Sequence, residues 1–135
     1  MLIMSSSNAT KILINRSKSF LEAAKENFLR GLYDVACFEA DQAVQLMLKA
    51  YLLKYGGFIP RTHSVRKLLG ELGKVLGKIG EVKKFISENR SGLVMLEDVY
   101  MRSRYSLEGY DASDAELCLN LASKIIDFVG KIVKI

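Results

Sequence analysis

Tryptophan is missing from the 135-residue sequence, and proline and histidine occur once each. Proline removes a backbone donor and collides with the preceding helical turn, so its near absence permits long uninterrupted helices. With only His63, a single side chain ordinarily titrates near neutrality. The two cysteines, Cys37 and Cys118, have no histidine close by and cannot supply the four ligands of a structural zinc site. In helical, mostly apolar stretches they read as small buried hydrophobes of a reducing compartment. No apolar run approaches the roughly eighteen residues of a membrane span. Residues 1–10 lack the charged start and apolar stretch of a signal peptide. These absences point to a soluble cytoplasmic protein with no membrane association.

What is present suits a single helical domain over residues 1–135. Half the residues are hydrophobic, enough to bury a core without disulfides or metal. The formal charge of +5 suits an acidic or phosphate-bearing partner but excludes nothing. Apolar residues recur at helical spacing in five stretches. The first covers 9–30, with Asn8 as its N-cap and Gly31 ending it. The second covers 34–55 and is apolar around so much of its circumference, Val35 and Phe38 included, that it should lie at the centre. Gly56 and Gly57 then stop it. A short third helix, 63–76, would begin at His63 and be loosened by its glycines. The fourth covers 81–105, with Ser91-Gly92 kinking or breaking it. The fifth covers 113–133, with Ser113 and Glu116 forming a capping box. No strand pattern competes. The architecture expected is all-α: an antiparallel up-and-down four-helix bundle with one additional short helix.

Three groups of residues carry a more specific likeness. The stretch Phe20-Leu21-Glu22-Ala23-Ala24 leads through Gly31-Leu32-Tyr33-Asp34 to Gln42-Ala43-Val44-Gln45 and Leu48-Lys49-Ala50. Pro60-x-Thr62-His63-Ser64 precedes Leu68-Leu69, and Tyr100-x-x-x-Arg104-Tyr105 closes the fourth helix. In order, spacing and helix placement these resemble the HEPN family, the higher eukaryote and prokaryote nucleotide-binding domain. The resemblance implies a nucleotide- or polynucleotide-binding module. Members often form homodimers and act beside a separately encoded minimal nucleotidyltransferase, in toxin–antitoxin or resistance pairs. Catalytically active members are metal-independent ribonucleases with an Arg and a His separated by four to six residues. Here Gly56, Gly57 and Phe58 stand where that Arg would precede His63, and Arg104 is followed by Tyr110 where the His would be. Tyrosine ordinarily titrates near pH 10 and is a poor base at neutrality. The likeness therefore implies a non-catalytic module. A ribonuclease with a non-standard site is the alternative.

The candidate site residues are Arg104, Tyr100, Tyr105, Lys49, Gln42, Gln45 and His63. Arg104 and Tyr100 lie four apart on one helix side, where the guanidinium could grip a phosphate beside an aromatic ring or bridge to an acid on another helix. Gln42, Gln45 and Lys49 form a polar stripe at i, i+3, i+7 on the apolar second helix. Such a stripe lines either a pocket or an inter-helix hydrogen-bond network. His63 reads as a structural or phosphate-binding group. Arg61, Arg66, Lys67, Lys74, Lys78, Lys83 and Lys84 make the middle of the chain basic, as a solvated face or a surface for an acidic partner or RNA. Gly73-Lys74 and Gly77-Lys78 are not phosphate loops: Leu68 and Leu72 replace the upstream Gly, and Val75 and Ile79 the hydroxyl residue. No motif calls for a cofactor or metal.

Overall fold

The computed structural model describes residues 6–105 and 107–134, and the side chains of residues 6, 100, 103 and 104 fall outside that description. Six α-helices follow one another: α1 (Ser6–Leu29), α2 (Tyr33–Gly56), α3 (Val65–Leu76), α4 (Ile79–Glu88), α5 (Arg90–Tyr105) and α6 (Ala112–Ile132). No strand occurs among the described residues, so the all-helical class holds. Helix α3 stands where the additional short helix was expected, and α4 and α5 together stand where a single fourth helix was expected over 81–105.

The extra helix arises at Asn89. Its amide side chain donates to Phe85 O at 2.8 Å, competing with the backbone pattern that would carry α4 onward. Its own carbonyl then accepts from Leu93 N–H and starts α5. The helix does break near Ser91-Gly92, the pair expected to kink or break it, but two residues earlier, so that the pair lies in the first turn of α5. Gly92 serves a close approach there: a Cβ would stand 3.0 Å from Leu121 Cδ2 on α6.

Helix α2 takes the central place foreseen for it. It packs against α1, α3, α5 and α6, and Ala36, Ala40, Val44, Leu48 and Leu52 are fully buried. Val35 is an exception at 44% exposed, although the next two residues, Ala36 and Cys37, are fully buried. The alanines admit α1, whose buried Ser17 donates its hydroxyl to the Ala43 carbonyl at 2.6 Å. Across the molecule, Phe85 of α4 stacks on Phe128 of α6 with centroids 4.2 Å apart.

The helix ends follow local chemistry. Gly31, at φ 77°, closes α1: its N–H reaches Phe28 O, and Leu32 N–H reaches Asn27 O. This paired arrangement satisfies carbonyls that the helix end would otherwise orphan. Asn8 is not an N-cap, since α1 already runs through it. Nor is His63 the first residue of α3; Ser64 caps that helix by accepting from Lys67 N–H at 3.2 Å. The capping box of α6 is Asp111 with Asp114 rather than Ser113 with Glu116, because the helix starts earlier and aspartate caps as well as serine.

Two substitutions separate turn chemistry from packing. Gly31→Ala should cost about 1 kcal/mol, because a Cβ is disfavoured at positive φ. Leu48→Ala should cost about 3 kcal/mol through the cavity it leaves. Chemical denaturation of both variants beside the wild type measures these differences.

Candidate functional site

The polar stripe of α2 contains a residue that sequence reasoning passed over. Asp41 is 1% exposed and Gln45, one turn on, is 3% exposed. Gln45 Nε2 donates to Asp41 Oδ2 at 2.7 Å, which leaves Gln45 Oε1 facing His63 Nδ1 at 3.3 Å. An amide oxygen can only accept, so Nδ1 carries the ring proton in that contact and Nε2 is the ring nitrogen turned away from it. The His63 residue is itself exposed, in the loop between α2 and α3. A buried carboxyl–amide pair thus orients an exposed imidazole.

A second cluster holds that loop in place. Glu97 of α5 accepts the Ser64 hydroxyl at 2.9 Å, the Arg66 backbone N–H at 3.0 Å, and two guanidinium contacts from Arg66 at 3.0 and 2.8 Å. Burial alone would push the Glu97 carboxyl up, but these hydrogen bonds and the Arg66 charge hold it below the usual range. Arg66 therefore belongs to a buried-edge ion pair rather than to a freely solvated basic face.

Asp41 has no such compensation. Its Oδ1 is buried with no hydrogen-bond partner among the described residues. Burial pushes its pKa up to about 7, with nearby Glu97 adding to the shift and Gln45 and Lys49 opposing it. Lys49, half-buried on the same helix, is lowered by burial while the Asp41 charge pulls the other way.

The structure thus brings Gln45, His63 and Lys49 together around Asp41. Gln42 is half-buried and takes no part in the hydrogen bonds that join Asp41, Gln45 and His63. Tyr105 is exposed at the end of α5. Tyr100 and Arg104 stand three and seven residues after Glu97, on the same side of α5 by helical register. Their side chains lie outside the described residues. Asp41 could have been found as an acid between Ala40 and Ala43 on a face otherwise apolar, four residues before Gln45. Ser64 could have been found as a serine immediately before the apolar pattern of α3.

Tyr110, which stands where active members of the resembled family carry histidine, is a core residue. Its hydroxyl is buried with no partner among the described residues, and the Arg102 guanidinium lies 5.0 Å from its ring centroid. Burial first, with smaller charge effects, pushes its pKa up to about 12. Its backbone N–H donates to Asp34 Oδ1 at 2.6 Å, tying the segment before α6 to the start of α2. The cysteines are likewise structural: Cys37 and Cys118 are buried and free, and Cys37 is pushed far up by its hydrogen bond with Cys118 and by burial.

A family model for the HEPN domain matches residues 10–132. The chain belongs to the HEPN family. Among solved structures, this HEPN domain is similar to the crystal structure of TT1696 from Thermus thermophilus, with a TM-score of 0.77 and 26% identity. That likeness covers 93% of this chain and 99% of the other. No curated protein matches it. Membership supports a nucleotide- or RNA-related module. No helix among the described residues is long and apolar enough to cross a membrane.

The raised Asp41 pKa fixes the sign of a pH dependence. The folded state holds a proton that the unfolded chain releases near pH 4, so this contribution is full below that pH and is lost as pH rises to about 7. Between pH 5 and 7 the stability of the wild type should fall by about 1 kcal/mol per pH unit. Asp41→Asn should flatten this slope and be the more stable protein at pH 8. Urea melts across that range test it; parallel curves for the two proteins would contradict the assignment.

Proposed function

We propose that this HEPN domain is a non-catalytic module that binds a nucleotide or polynucleotide through its phosphate groups. On this reading it acts as a homodimer beside a separately encoded minimal nucleotidyltransferase, as one part of a toxin–antitoxin-like or resistance-like pair. The observation that carries it is the exposed His63 imidazole, held through Nδ1 by the buried Gln45–Asp41 pair. Lys49 adds positive charge from α2, and Arg104 and Tyr100 follow Glu97 along the same side of α5. Such a set is suited to gripping a phosphate with a base or ribose alongside.

The same histidine gives the alternative, a ribonuclease with a non-standard site, its one specific support. Metal-independent cleavage needs a base to take the 2′-hydroxyl proton and an acid to protonate the leaving oxygen. His63 could fill one role. Asp41 titrates near 7 but lies behind Gln45, out of reach of a ligand. Tyr110 is buried and shifted away from neutrality. A lone imidazole without its counterpart favours binding over cleavage.

Calorimetry with ATP, GTP and a short single-stranded RNA tests binding. Saturable binding is expected, weakened about tenfold, or about 1.4 kcal/mol, in both His63→Ala and Arg104→Ala with melting temperature retained. No binding of any of the three ligands would remove this reading. Cleavage of the RNA without added metal, abolished by His63→Ala, would establish the enzyme instead. Affinity capture of the tagged protein from its native lysate should bring down a nucleotidyltransferase in stoichiometric amount.

A further inference from the structure

The hydrogen bonds that run from Asp41 to His63 can be made in two ways, and the charge of Asp41 decides between them. As a carboxylate, Asp41 has acceptors only. The Gln45 amide therefore turns its N–H donors to Oδ2, at 2.7 Å, and its oxygen to the ring, 3.3 Å from Nδ1. Nδ1 then carries the imidazole proton, and Nε2 offers a lone pair. That lone pair is repelled by a phosphate oxygen, which is itself an acceptor.

A proton taken up by Asp41 has two places to go. On Oδ1 it would be a buried donor without a partner, since that oxygen has none among the described residues. On Oδ2 it faces Gln45, and it is satisfied once the amide turns over. The amide oxygen then points to Asp41 and the N–H donors point to the ring. This half-turn exchanges two atoms of similar size, so the packing around Gln45, which is 3% exposed, can stay as it is. Nδ1 must now accept, and the ring proton passes through solvent to Nε2. One proton has been gained, at Asp41, and the imidazole is neutral in both arrangements.

From this geometry we propose that Asp41 is a positioning residue that selects, through Gln45, which nitrogen of His63 carries the proton. Protonated Asp41 gives an Nε2–H that donates outward, whereas charged Asp41 gives an Nε2 that only accepts. Burial, which brings the Asp41 pKa up to about 7, places the exchange in the neutral range. The charged groups acting on Asp41 are Glu97 of α5, itself paired with Arg66 of α3, and Lys49 of α2. Among the described residues none from α1 or α6 joins them. Phosphate binding needs the donor form, so a bound phosphate draws a proton onto Asp41 although the carboxyl never touches it. That consequence rests on the function proposed above; the link from Asp41 to the ring does not.

NMR of the ring nitrogens tests the link on the full chain without any ligand. His63 is the sole histidine, so the signals need no sorting. The two nitrogen shifts together give the shares of each neutral tautomer and of the imidazolium. At about pH 8.5 the neutral ring should be mainly Nδ1–H, because Asp41 is then charged. As pH falls through the titration of Asp41, followed by its carboxyl carbon shift, the ratio of Nε2–H to Nδ1–H should rise at least about tenfold. Gln45→Leu interrupts the relay and leaves Asp41 to titrate, and Asp41→Asn removes the titration. With melting transitions retained, each should hold one ratio over the same range. A wild-type ratio that stays constant while Asp41 titrates would overturn the proposal, as would the same change in Gln45→Leu or an Asp41 that keeps its charge throughout. Calorimetry of ATP binding at about pH 8, in two buffers of different ionisation heat, reads the consequence. The wild type should take up about one proton more per ATP than Asp41→Asn, and equal uptake would overturn the coupling to phosphate. Failure of ATP to bind at all would count against the proposed function and leave the NMR result to decide the link.

Discussion

The carboxylate of Glu97 is the joint on which the candidate site depends. It receives four hydrogen bonds from Ser64 and Arg66, so one side chain of α5 fixes both the cap and the first turn of α3. His63 precedes that cap directly. Its position relative to α2 is therefore set from two sides, by Glu97 through the neighbouring residues and by Gln45 at its own ring. A loop that would otherwise sample many conformations presents its imidazole in one orientation, with the ordering cost met by contacts remote from any ligand.

Central burial of α2 imposes the other constraint. A helix covered by four neighbours leaves few routes to water, and whatever polar groups it carries must be satisfied internally. Gln45 succeeds by bonding in two directions. Asp41 succeeds only in part, with one oxygen bonded and the other orphaned, and the result is a carboxyl whose charged and neutral forms are nearly balanced at neutral pH. Stability at this position is set against orientation of the histidine. An apolar residue in place of Asp41 would sit more comfortably in the core but would leave the Gln45 amide without its acceptor.

Helix content, the place of α2 and the endings at Gly31 and Gly57 were legible because they rest on local rules of periodicity and turn conformation. The division at Asn89 was not, since Ser91-Gly92 is the stronger breaker by composition. What decided the matter was a side-chain bond from Asn89 back to Phe85 and the need of α6 to pass close to Gly92. Capping showed the same limit: Asp111 and Ser113 are both competent, and only the path of the chain out of the Tyr110–Asp34 contact selects the former. At the site, Gln45, Lys49 and His63 stood out as polar residues in apolar surroundings. Asp41 and Glu97 did not, because an acid in a helix is most often solvated, and their burial depends on which helices meet. Tyr110 could be recognised as the wrong residue for proton transfer, whereas its enclosure in the core is a property of packing alone.

The turn at Gly31 bears also on how the chain comes together. Only residues 30–32 separate α1 from α2, yet these two helices share the most extensive packing in the molecule. Closing so short a connection sacrifices little chain entropy, whereas bringing α6 onto α2 closes a loop that spans half the protein. The α1–α2 hairpin is thus the cheapest large contact to form. It presents the face of α2 on which the distant helices, and with them Glu97 and the histidine loop, are assembled.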